Sequence, residues 1–373
     1  MASRQWGCPL LQGDTSLTST SFPNLISRGL PVFTSTGTAA NATSSNYNNI
    51  LTLTATSGTI ALDISGVAVA QKTTNALYWY DETGVDTTTL YFDVGNATGG
   101  GGVKNNQPAA YTLEGNTGAG GGSPPGSGWV TLATIANGLA SRKHVLSGAS
   151  SLAGYNWVRM NISSSSSSAI SLKLDLWDIS RGNKDILQLA DSRGWFGNTH
   201  KNPHGGSVVC DSLGNQMQST LGYYVPTINA GMSGAKAADI DALVNGWLTT
   251  LGSFYAVTME IGINDATASP WSSGWTTSVQ SIVNKCLAAG ITKFFLETIG
   301  DSTSAGVHTN ILSGYLTAIA GIISGTPGCF AGYDTYTYLN ANPGLISGDL
   351  IHETDQGFVN VLTNKAVFYP SRL

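Results

Sequence analysis

Hydrophobic and polar residues follow two different patterns along the chain, and the change falls near residue 180. Before that point, short runs alternate apolar with polar residues and are rich in β-branched and aromatic side chains. Alternation with a period of two is typical of β-strands. The predicted strands are residues 51–56, 76–80, 89–94, 155–162 and 170–177. Glycine- and serine-rich stretches between them indicate long loops, so residues 1–180 are predicted to form an all-β sandwich domain.

Residues 181–373 instead show apolar runs that alternate with helical periodicity. In the clearest helix, after Lys236, apolar residues recur every three or four positions on one face: Ile240, Leu243, Val244, Trp247, Leu248 and Leu251. A further helix is predicted around 279–287, and another at 311–322 with an apolar face made of Ile311, Leu312, Tyr315, Leu316, Ile319 and Ile322. Buried strands are predicted at 186–190, 257–261 and 293–298. Strands alternating with helices are typical of a parallel sheet covered by helices on both faces. We therefore predict a three-layer α/β domain over this half of the chain.

Composition narrows the classes of partner. Charged residues make up only 10% of the chain, well below the roughly 25% of an average soluble protein. The 17 basic and 22 acidic residues give a net charge of -5 and form no basic stripe, so nucleic acid is not an expected partner. No run approaches the ~20 apolar residues that span a bilayer, so membrane insertion is not expected. Abundant glycine, serine and threonine favour an extracellular location, although residues 1–30 show no export signal.

Cysteine and histidine spacing gives no sign of a metal site. The four cysteines, at positions 8, 210, 286 and 329, form no C-x-x-C pair, which argues against a zinc or thioredoxin-type site. Free thiols and one or two disulfides both remain open. His200 and His204 are four apart, but the intervening Lys-Asn-Pro breaks any helix that would present them together. No metal or cofactor is therefore predicted.

Polar residues follow two of the predicted parallel strands. Ser192 comes directly after strand 186–190, and Gly194 lets the backbone turn sharply there. Asn264 follows strand 257–261. Ligands bind beyond the carboxyl ends of strands in open α/β sheets. Ser192 is therefore a candidate nucleophile, and Asn264 is a candidate donor to a developing oxyanion.

A carboxylate precedes an imidazole near the end of the chain. Asp349 lies three residues before His352, a spacing that brings both side chains to one side of a single turn. The carboxylate can then fix the tautomer of a histidine that acts as a base. Four other histidines are rivals for this role: His144, His200, His204 and His308.

Taken together, these segments resemble the four ordered motifs of the SGNH hydrolases, also called the GDSL esterase/lipase family. The matching residues are Ala190-Asp191-Ser192, then 229–234, then Gly262-Ile263-Asn264-Asp265, then Asp349-Leu350-Ile351-His352. The resemblance covers roughly residues 184–365 and implies a flavodoxin-like α/β fold. The chain departs from the pattern at Ala190, where the family usually has glycine.

The resemblance also implies a role for each residue. Ser192 would be the nucleophile, His352 its base and Asp349 the group that orients the base. The backbone N–H groups of Ser192 and Gly234 and the side chain of Asn264 would form the oxyanion hole. Asp265 would support the loop of Asn264, and acyl transfer would proceed in two steps without a metal or organic cofactor.

A second Asp-Ser pair, Asp211-Ser212, is an alternative first motif. Ser212 would leave only 22 residues before Gly234 for a helix and a strand, whereas Ser192 leaves 42. Leu213, Met217 and Leu221 follow at helical spacing, so Asp211 or Ser212 is predicted to cap a helix. Considered singly, Ser192 would be an ordinary turn residue and Asn264 a common turn former.

The first domain carries aromatic residues in its predicted strands, namely Tyr78, Trp79, Tyr80, Trp129, Trp157 and Trp177. Outward-facing rings on a β-sandwich can stack on sugars, and some SGNH hydrolases that deacetylate polysaccharides carry a similar jelly-roll domain before the catalytic one. The alternative is that these rings fill the core, because large aromatics are usually buried.

The predicted function is hydrolysis of short acyl esters, with O-acetyl groups of a carbohydrate as the expected substrate. The partner would be a small-molecule or polysaccharide ester. A lipid-directed esterase, of lysophospholipase or thioesterase type, is the alternative within the same chemistry. A non-catalytic carbohydrate-binding adhesin or phage tail component is the alternative of another class. The sequence leaves the acyl chain, the alcohol and the oligomeric state open.

Overall fold

The structure is a computed structural model of the 373-residue chain. It describes residues 31–35, 50–53, 55–81, 108–136, 143–165, 170–178, 184–194, 213, 217, 227–231, 234–252 and 254–373. The chain divides into two compact units. One consists of residues 1–182 with 249–252, and the other of residues 183–248 with 253–373.

The first unit is built from two antiparallel sheets. Its strands are β1 (Val32–Thr34), β2 (Ile50–Leu53), β3 (Gly58–Asp63), β4 (Thr74–Asp81), β5 (Pro108–Asn116), β6 (Val130–Ile135), β7 (Lys143–Ser147), β8 (Trp157–Ser165) and β9 (Ile170–Asp178). One sheet has the order β1-β3-β8-β5-β6 and the other β2-β9-β4-β7. A jelly roll has eight strands, and β2 to β9 can be numbered one to eight for comparison with it. In that numbering β3-β8-β5-β6 becomes 2-7-4-5 and β2-β9-β4-β7 becomes 1-8-3-6. These are the strand orders of the two sheets of a jelly roll.

The two sheets share one hydrophobic core. Alternate residues of β3, β5 and β8 enter it from one sheet: Ile60, Leu62, Tyr111, Leu113, Val158, Met160 and Ile162. Strands β4, β7 and β9 of the other sheet supply Leu77, Leu146, Leu174 and Leu176. Period-two alternation buries one face of each strand in this way, and the predicted sandwich is confirmed. The predicted strand 89–94 lies outside the described residues.

The second unit is built on a five-stranded parallel sheet. Its strands are β10 (Ile186–Ala190), β11 (Thr227–Gly231), β12 (Ala256–Glu260), β13 (Lys293–Leu296) and β14 (Cys329–Ala331). The sheet order is β11-β10-β12-β13-β14, with every neighbouring pair parallel. Counted from β10, this is the flavodoxin-like order 2-1-3-4-5. The predicted α/β fold is therefore confirmed.

Helices connect and follow these strands. They are α1 (Ala237–Leu251), α2 (Ile263–Ala268), α3 (Ser273–Ala288), α4 (Ala305–Asn310), α5 (Leu316–Gly325), α6 (Thr335–Ala341) and α7 (Asp355–Phe368). The face predicted for α1 is buried at Ile240, Val244, Trp247 and Leu248. One described segment, Ala305–Gly325, is long and apolar enough to cross a membrane by length and composition alone. Five of its residues are core residues of this unit: Val307, Ile311, Tyr315, Ile319 and Ile322.

The predicted apolar face of the segment 311–322 is wrong at one position. Leu312 was expected on that face, but it is 53% exposed. The helical segment is kinked at Gly314, whose backbone angles are non-helical, in the turn Ile311–Tyr315 between α4 and α5. Leu312 lies beside this kink, whereas Ile311, Tyr315, Ile319 and Ile322 form the buried face.

Two of the four cysteines lie in the described part of this unit. Cys286 in α3 and Cys329 in β14 are free and buried. Burial raises the pKa of each thiol to about 12, so both stay protonated and unreactive at neutral pH. Cys8 and Cys210 lie outside the described residues.

The strand register brings three loops to one edge of the sheet. Ala190, the last residue of β10, pairs with Gly231 of β11 and with Glu260 of β12. The segments that follow these residues therefore emerge side by side at the carboxyl edge. Strand order reverses at β10, which is where open α/β sheets bind ligands.

Candidate active site

Ser192 lies in the tight turn that follows β10. Helical geometry begins at Ser192 itself, and the carboxylate of Asp191 accepts the N–H of Arg193 at 3.1 Å. A Cβ at position 194 would lie 2.2 Å from the Cβ of Ala190. Only glycine therefore fits at position 194 while alanine occupies position 190. The absence of a side chain at Gly194 makes room for the methyl group of Ala190, which stands where the family usually has glycine.

Asp191 joins the serine turn to the loop after β12. Its Oδ2 accepts the N–H groups of Gly262 and Ile263 at 3.2 and 3.3 Å. Burial, reinforced by the nearby carboxylate of Glu260, raises the pKa of Asp191 to about 7, against the opposing effect of these hydrogen bonds and of Arg193. Asp191 therefore holds two of the converging loops together beneath Ser192.

Three predicted residues form a continuous hydrogen-bonded chain. The Nε2 of His352 lies 2.9 Å from the Oγ of Ser192, and its Nδ1 lies 2.7 Å from Oδ2 of Asp349. A carboxylate can only accept, so Nδ1 carries the proton and Nε2 presents a lone pair to the serine hydroxyl. Ser192 is 3% exposed, while the side chain of His352 is 22% exposed.

Asp349 is held as an anion by four donors. Its Oδ1 accepts the Ser347 hydroxyl and the N–H groups of Ile351 and His352. Burial alone would raise the pKa of Asp349, but the bonds from His352, Ser347 and Ile351 outweigh it and hold the pKa well below its ordinary value. The carboxylate is thus ionised at every pH at which the histidine is needed as a base.

Leu350, between this carboxylate and the histidine, has a left-handed backbone. Its φ is 66°, a region that leucine adopts at a cost of about 1–2 kcal/mol. The Ser302 hydroxyl and the N–H of Thr303 both donate to its carbonyl oxygen, at 2.6 and 3.2 Å. The side chain of Leu350 is exposed. The loop after β13 therefore fixes the strained turn that carries the Asp349–His352 pair.

The residues expected to bind an oxyanion lie in two further loops. Asn264, in α2, donates from its side-chain amide to the carbonyl of Ala235 at 2.9 Å, next to Gly234. Asp265 accepts the N–H of Ala237, the first residue of α1, at 3.1 Å. These bonds tie the Gly234 segment to the loop after β12, the support predicted for Asp265.

A second Asp–His pair lies beyond β13. The Nδ1 of His308 is 2.8 Å from Oδ1 of the buried Asp301, and the ring stacks on Tyr336 at 6.3 Å. Sequence reasoning named His308 as a rival base but missed its carboxylate, because the seven-residue spacing spans a loop and a helix. His144 lies instead in the first unit beside Tyr111. His200 and His204 lie outside the described residues.

Sequence reasoning also missed a cluster of buried charges beneath the site. Lys365 of α7 pairs with Glu260 at 2.9 Å and with Glu297 at 2.5 Å. Arg193 lies 3.5 Å from Glu353. Burial opposes a charge on Lys365, but the two carboxylates outweigh it and raise its pKa. These side chains line a cavity of about 20 Å³, which is room for about one water molecule.

Several other predicted features can be placed. Leu213 and Met217 are helical and buried, and they pack with Ile186 and Ala256, the amino-terminal residues of β10 and β12. Ser212 itself lies outside the described residues. In the described ranges, no three histidine, cysteine, aspartate or glutamate side chains are grouped as a metal site would require.

Two of the aromatic side chains expected to bind sugars can be described, those of Trp129 and Trp157. Trp157 is fully buried and donates from its indole nitrogen to the carbonyl of Ala119. The guanidinium of Arg159 lies 4.0 Å above the ring of Trp129. Trp157 therefore offers no open face for a sugar, whereas Trp129 is half-buried with one face of its ring beneath Arg159. The side chains at 78–80 and 177 are outside the described set.

Comparison with known proteins gives matches in structure only. No known family's sequence profile matches the chain, and no curated protein matches it. A lipase/acylhydrolase from Enterococcus faecalis is similar at 17% identity and a TM-score of 0.40, over 51% of this chain and 97% of its own. The esterase EstA from Pseudoalteromonas sp. is similar at 15% identity and a TM-score of 0.41, over 51% of this chain and 98% of its own. An acetylxylan esterase from Geobacillus stearothermophilus is similar at 16% identity and a TM-score of 0.41, over 50% of this chain and 93% of its own. Likenesses at this level do not identify the reaction or the substrate.

Proposed function

We propose that the second unit is a serine carboxylic ester hydrolase. The observation that carries the proposal is the hydrogen-bonded series from Asp349 through His352 to Ser192. A hydroxyl, an imidazole and a carboxylate in this order are the groups that nucleophilic acyl transfer requires. Their position at the carboxyl edge of the sheet supports the same conclusion.

The first step forms an acyl-enzyme. The Nε2 of His352 takes the proton of Ser192 as Oγ attacks the carbonyl carbon of the ester. The tetrahedral intermediate collapses when the imidazolium returns that proton to the alcohol oxygen, which leaves. Asp349 remains ionised throughout and stabilises the imidazolium through Nδ1. Its four donors and depressed pKa suit that role.

The second step releases the acid. Water gives a proton to His352 and attacks the acyl carbon, and the second tetrahedral intermediate expels Oγ, which recovers its proton from His352. In both steps we assign the oxyanion to three donors, namely the N–H groups of Ser192 and Gly234 and the amide of Asn264. The bond from Asn264 to Ala235 supports this assignment because it holds that amide beside the Gly234 segment.

The substrate class we propose is an ester of a short acyl group, with O-acetyl groups of carbohydrates as the natural target outside the cell. The low exposure of Ser192 favours a small acyl group. Trp157 is buried and Arg159 covers one face of Trp129, so these two rings give little support to sugar binding by the first unit. We therefore assign recognition of the alcohol to the second unit, which carries Ser192.

Hydrolysis of p-nitrophenyl acetate and butyrate by the full chain tests the proposal. Ser192→Ala should abolish turnover, and Ser212→Ala is the matched control because it removes the same hydroxyl from the alternative Asp-Ser pair. Acetate should be preferred to butyrate. An inert wild-type protein would overturn the proposed activity, and loss of activity in Ser212→Ala alone would move the nucleophile to Ser212. Release of acetate from acetylated xylan and of fatty acid from a lysophospholipid, measured in parallel, separates carbohydrate esters from lipid esters.

A further inference from the structure

Arg193 occupies the position next to the proposed nucleophile, yet its side chain points inward and is 2% exposed. Its Nη2 donates to the carbonyl of Asp301 at 2.5 Å and also to the carbonyl of Ile351. Its Nη1 lies 3.5 Å from Oε1 of Glu353. One guanidinium thus contacts the residues immediately before and immediately after His352.

The backbone leaves room for this arginine at one glycine. A Cβ on Gly300 would lie 1.9 Å from Nη1 of Arg193. Such a contact cannot exist, so an alanine there would displace the guanidinium. The loop after β13 is therefore shaped around the arginine as well as bonded to it.

Stability alone does not account for a buried arginine here. Nε and Nη1 donate to no acceptor among the described residues, and a buried donor without a partner costs about 1–3 kcal/mol. Replacing a buried ion pair by apolar side chains is often neutral or stabilising. What arginine supplies and an apolar side chain does not is a rigid planar fork that binds two carbonyl groups in a fixed geometry.

We infer that Arg193 is a positioning residue for acyl transfer, which sets the distance between the Oγ of Ser192 and the Nε2 of His352. This inference rests on the proposed esterase function. The two residues are 160 positions apart, and Arg193 joins their loops directly, being bonded to one and adjacent to the other. A displacement of about 1 Å in such a pair can cost on the order of 10²-fold in rate.

Two pairs of variants test the inference. Arg193→Met removes the fork, and Arg372→Met is its control on an exposed arginine. Gly300→Ala keeps the charge and displaces the guanidinium, and Gly306→Ala is its control because a Cβ there meets nothing within 4 Å. We expect kcat to fall at least about 10-fold in Arg193→Met and Gly300→Ala, with KM for p-nitrophenyl acetate changed less than about 2-fold, and both controls to match the wild type. Arg193→Lys keeps the charge but should not recover kcat, because an ammonium lacks the fork.

A spectroscopic readout separates this inference from the esterase proposal. The proton on Nδ1 of His352 should give a downfield NMR signal in the wild type because it is bonded to Asp349. That signal should broaden or vanish in Gly300→Ala and persist in Gly306→Ala, whether or not the protein hydrolyses esters. An unchanged signal with unchanged kcat in Gly300→Ala would overturn the inference. So would a loss of activity in Arg193→Met that only follows the folded fraction seen by circular dichroism.

Discussion

The side-chain amide of Asn264 donates to the carbonyl oxygen of Ala235 at 2.9 Å. This bond joins the loop after β12 to the loop after β11, where Gly234 lies. An amide nitrogen carries two hydrogens. One of them holds the loop, and we propose that the second donates to the oxyanion formed during ester hydrolysis.

Asn264→Ala should therefore lower kcat by about 10²- to 10³-fold, the usual effect of one lost oxyanion donor. KM should change little, because the interaction is made in the transition state. Asn342→Ala is the control, since its amide also donates to a backbone carbonyl, at 2.8 Å, in an exposed position. Steady-state kinetics with p-nitrophenyl acetate provide the measurement. Equal turnover in Asn264→Ala and the wild type would remove Asn264 from the mechanism.

Leu350→Gly should stabilise the protein while altering the site. Glycine adopts a φ of 66° without the penalty that leucine incurs, so the free energy of unfolding should rise by about 1 kcal/mol. Leu350→Ala removes the same exposed side chain but retains the strain, and should give no such gain. Urea denaturation of the three proteins decides the matter. A destabilised Leu350→Gly variant would mean that the leucine side chain contributes contacts larger than the strain.

The pH dependence of the free energy of unfolding should reveal the titration of the Asp191 carboxyl group. Its folded pKa of about 7 lies above its unfolded value, so the folded state retains a proton that the unfolded state has lost. The stability it contributes is complete below about pH 4 and is lost as pH rises through about 7, by up to about 1.4 kcal/mol per pH unit. Asp191→Asn cannot titrate, so its stability relative to the wild type should rise between pH 5 and pH 7.5. A difference that stays constant over this range would contradict the assignment.

Lys365 and Lys285 should differ sharply in what their removal costs. Lys365 is buried between Glu260 and Glu297, and Lys365→Met leaves these carboxylates without their cation, at a cost of about 3–5 kcal/mol. Lys285 makes an equally short bond to Asp241, 2.7 Å, but both side chains are about a quarter exposed. Lys285→Met should cost at most about 1 kcal/mol. Thermal unfolding of both variants measures the two losses of stability. Similar losses would show that burial does not determine how much each ion pair contributes to stability.

Periodicity in the sequence predicted both folds, because the helices and several antiparallel strands bury one face, whereas a parallel strand such as β12 is buried on both faces. It did not reveal β5, in which most residues are buried and alternation is weak. It also failed at Leu312, which lies beside the kink at Gly314. Local patterns carry no information about such irregular backbone.

Sequence motifs indicated Ser192, Asn264, Asp349 and His352 as candidates because each follows a strand end or lies within one turn of its partner, and the structure joins three of them, Ser192, His352 and Asp349, by hydrogen bonds. They did not locate Arg193, whose acceptors at Asp301 and Ile351 are 108 and 158 residues away. Contacts of this kind depend on how the loops after β10, β13 and β14 converge. That convergence is a property of the sheet order, which no single motif encodes.

The 160 residues between Ser192 and His352 also set a delay during synthesis. A ribosome adds about 5–20 residues per second, so roughly 8 to 30 s pass after Ser192 is made before its base exists. During that interval Ser192 lacks His352, the base that we propose for it. The proposed ester hydrolysis could therefore begin only after the segment that carries Asp349 and His352 has been made.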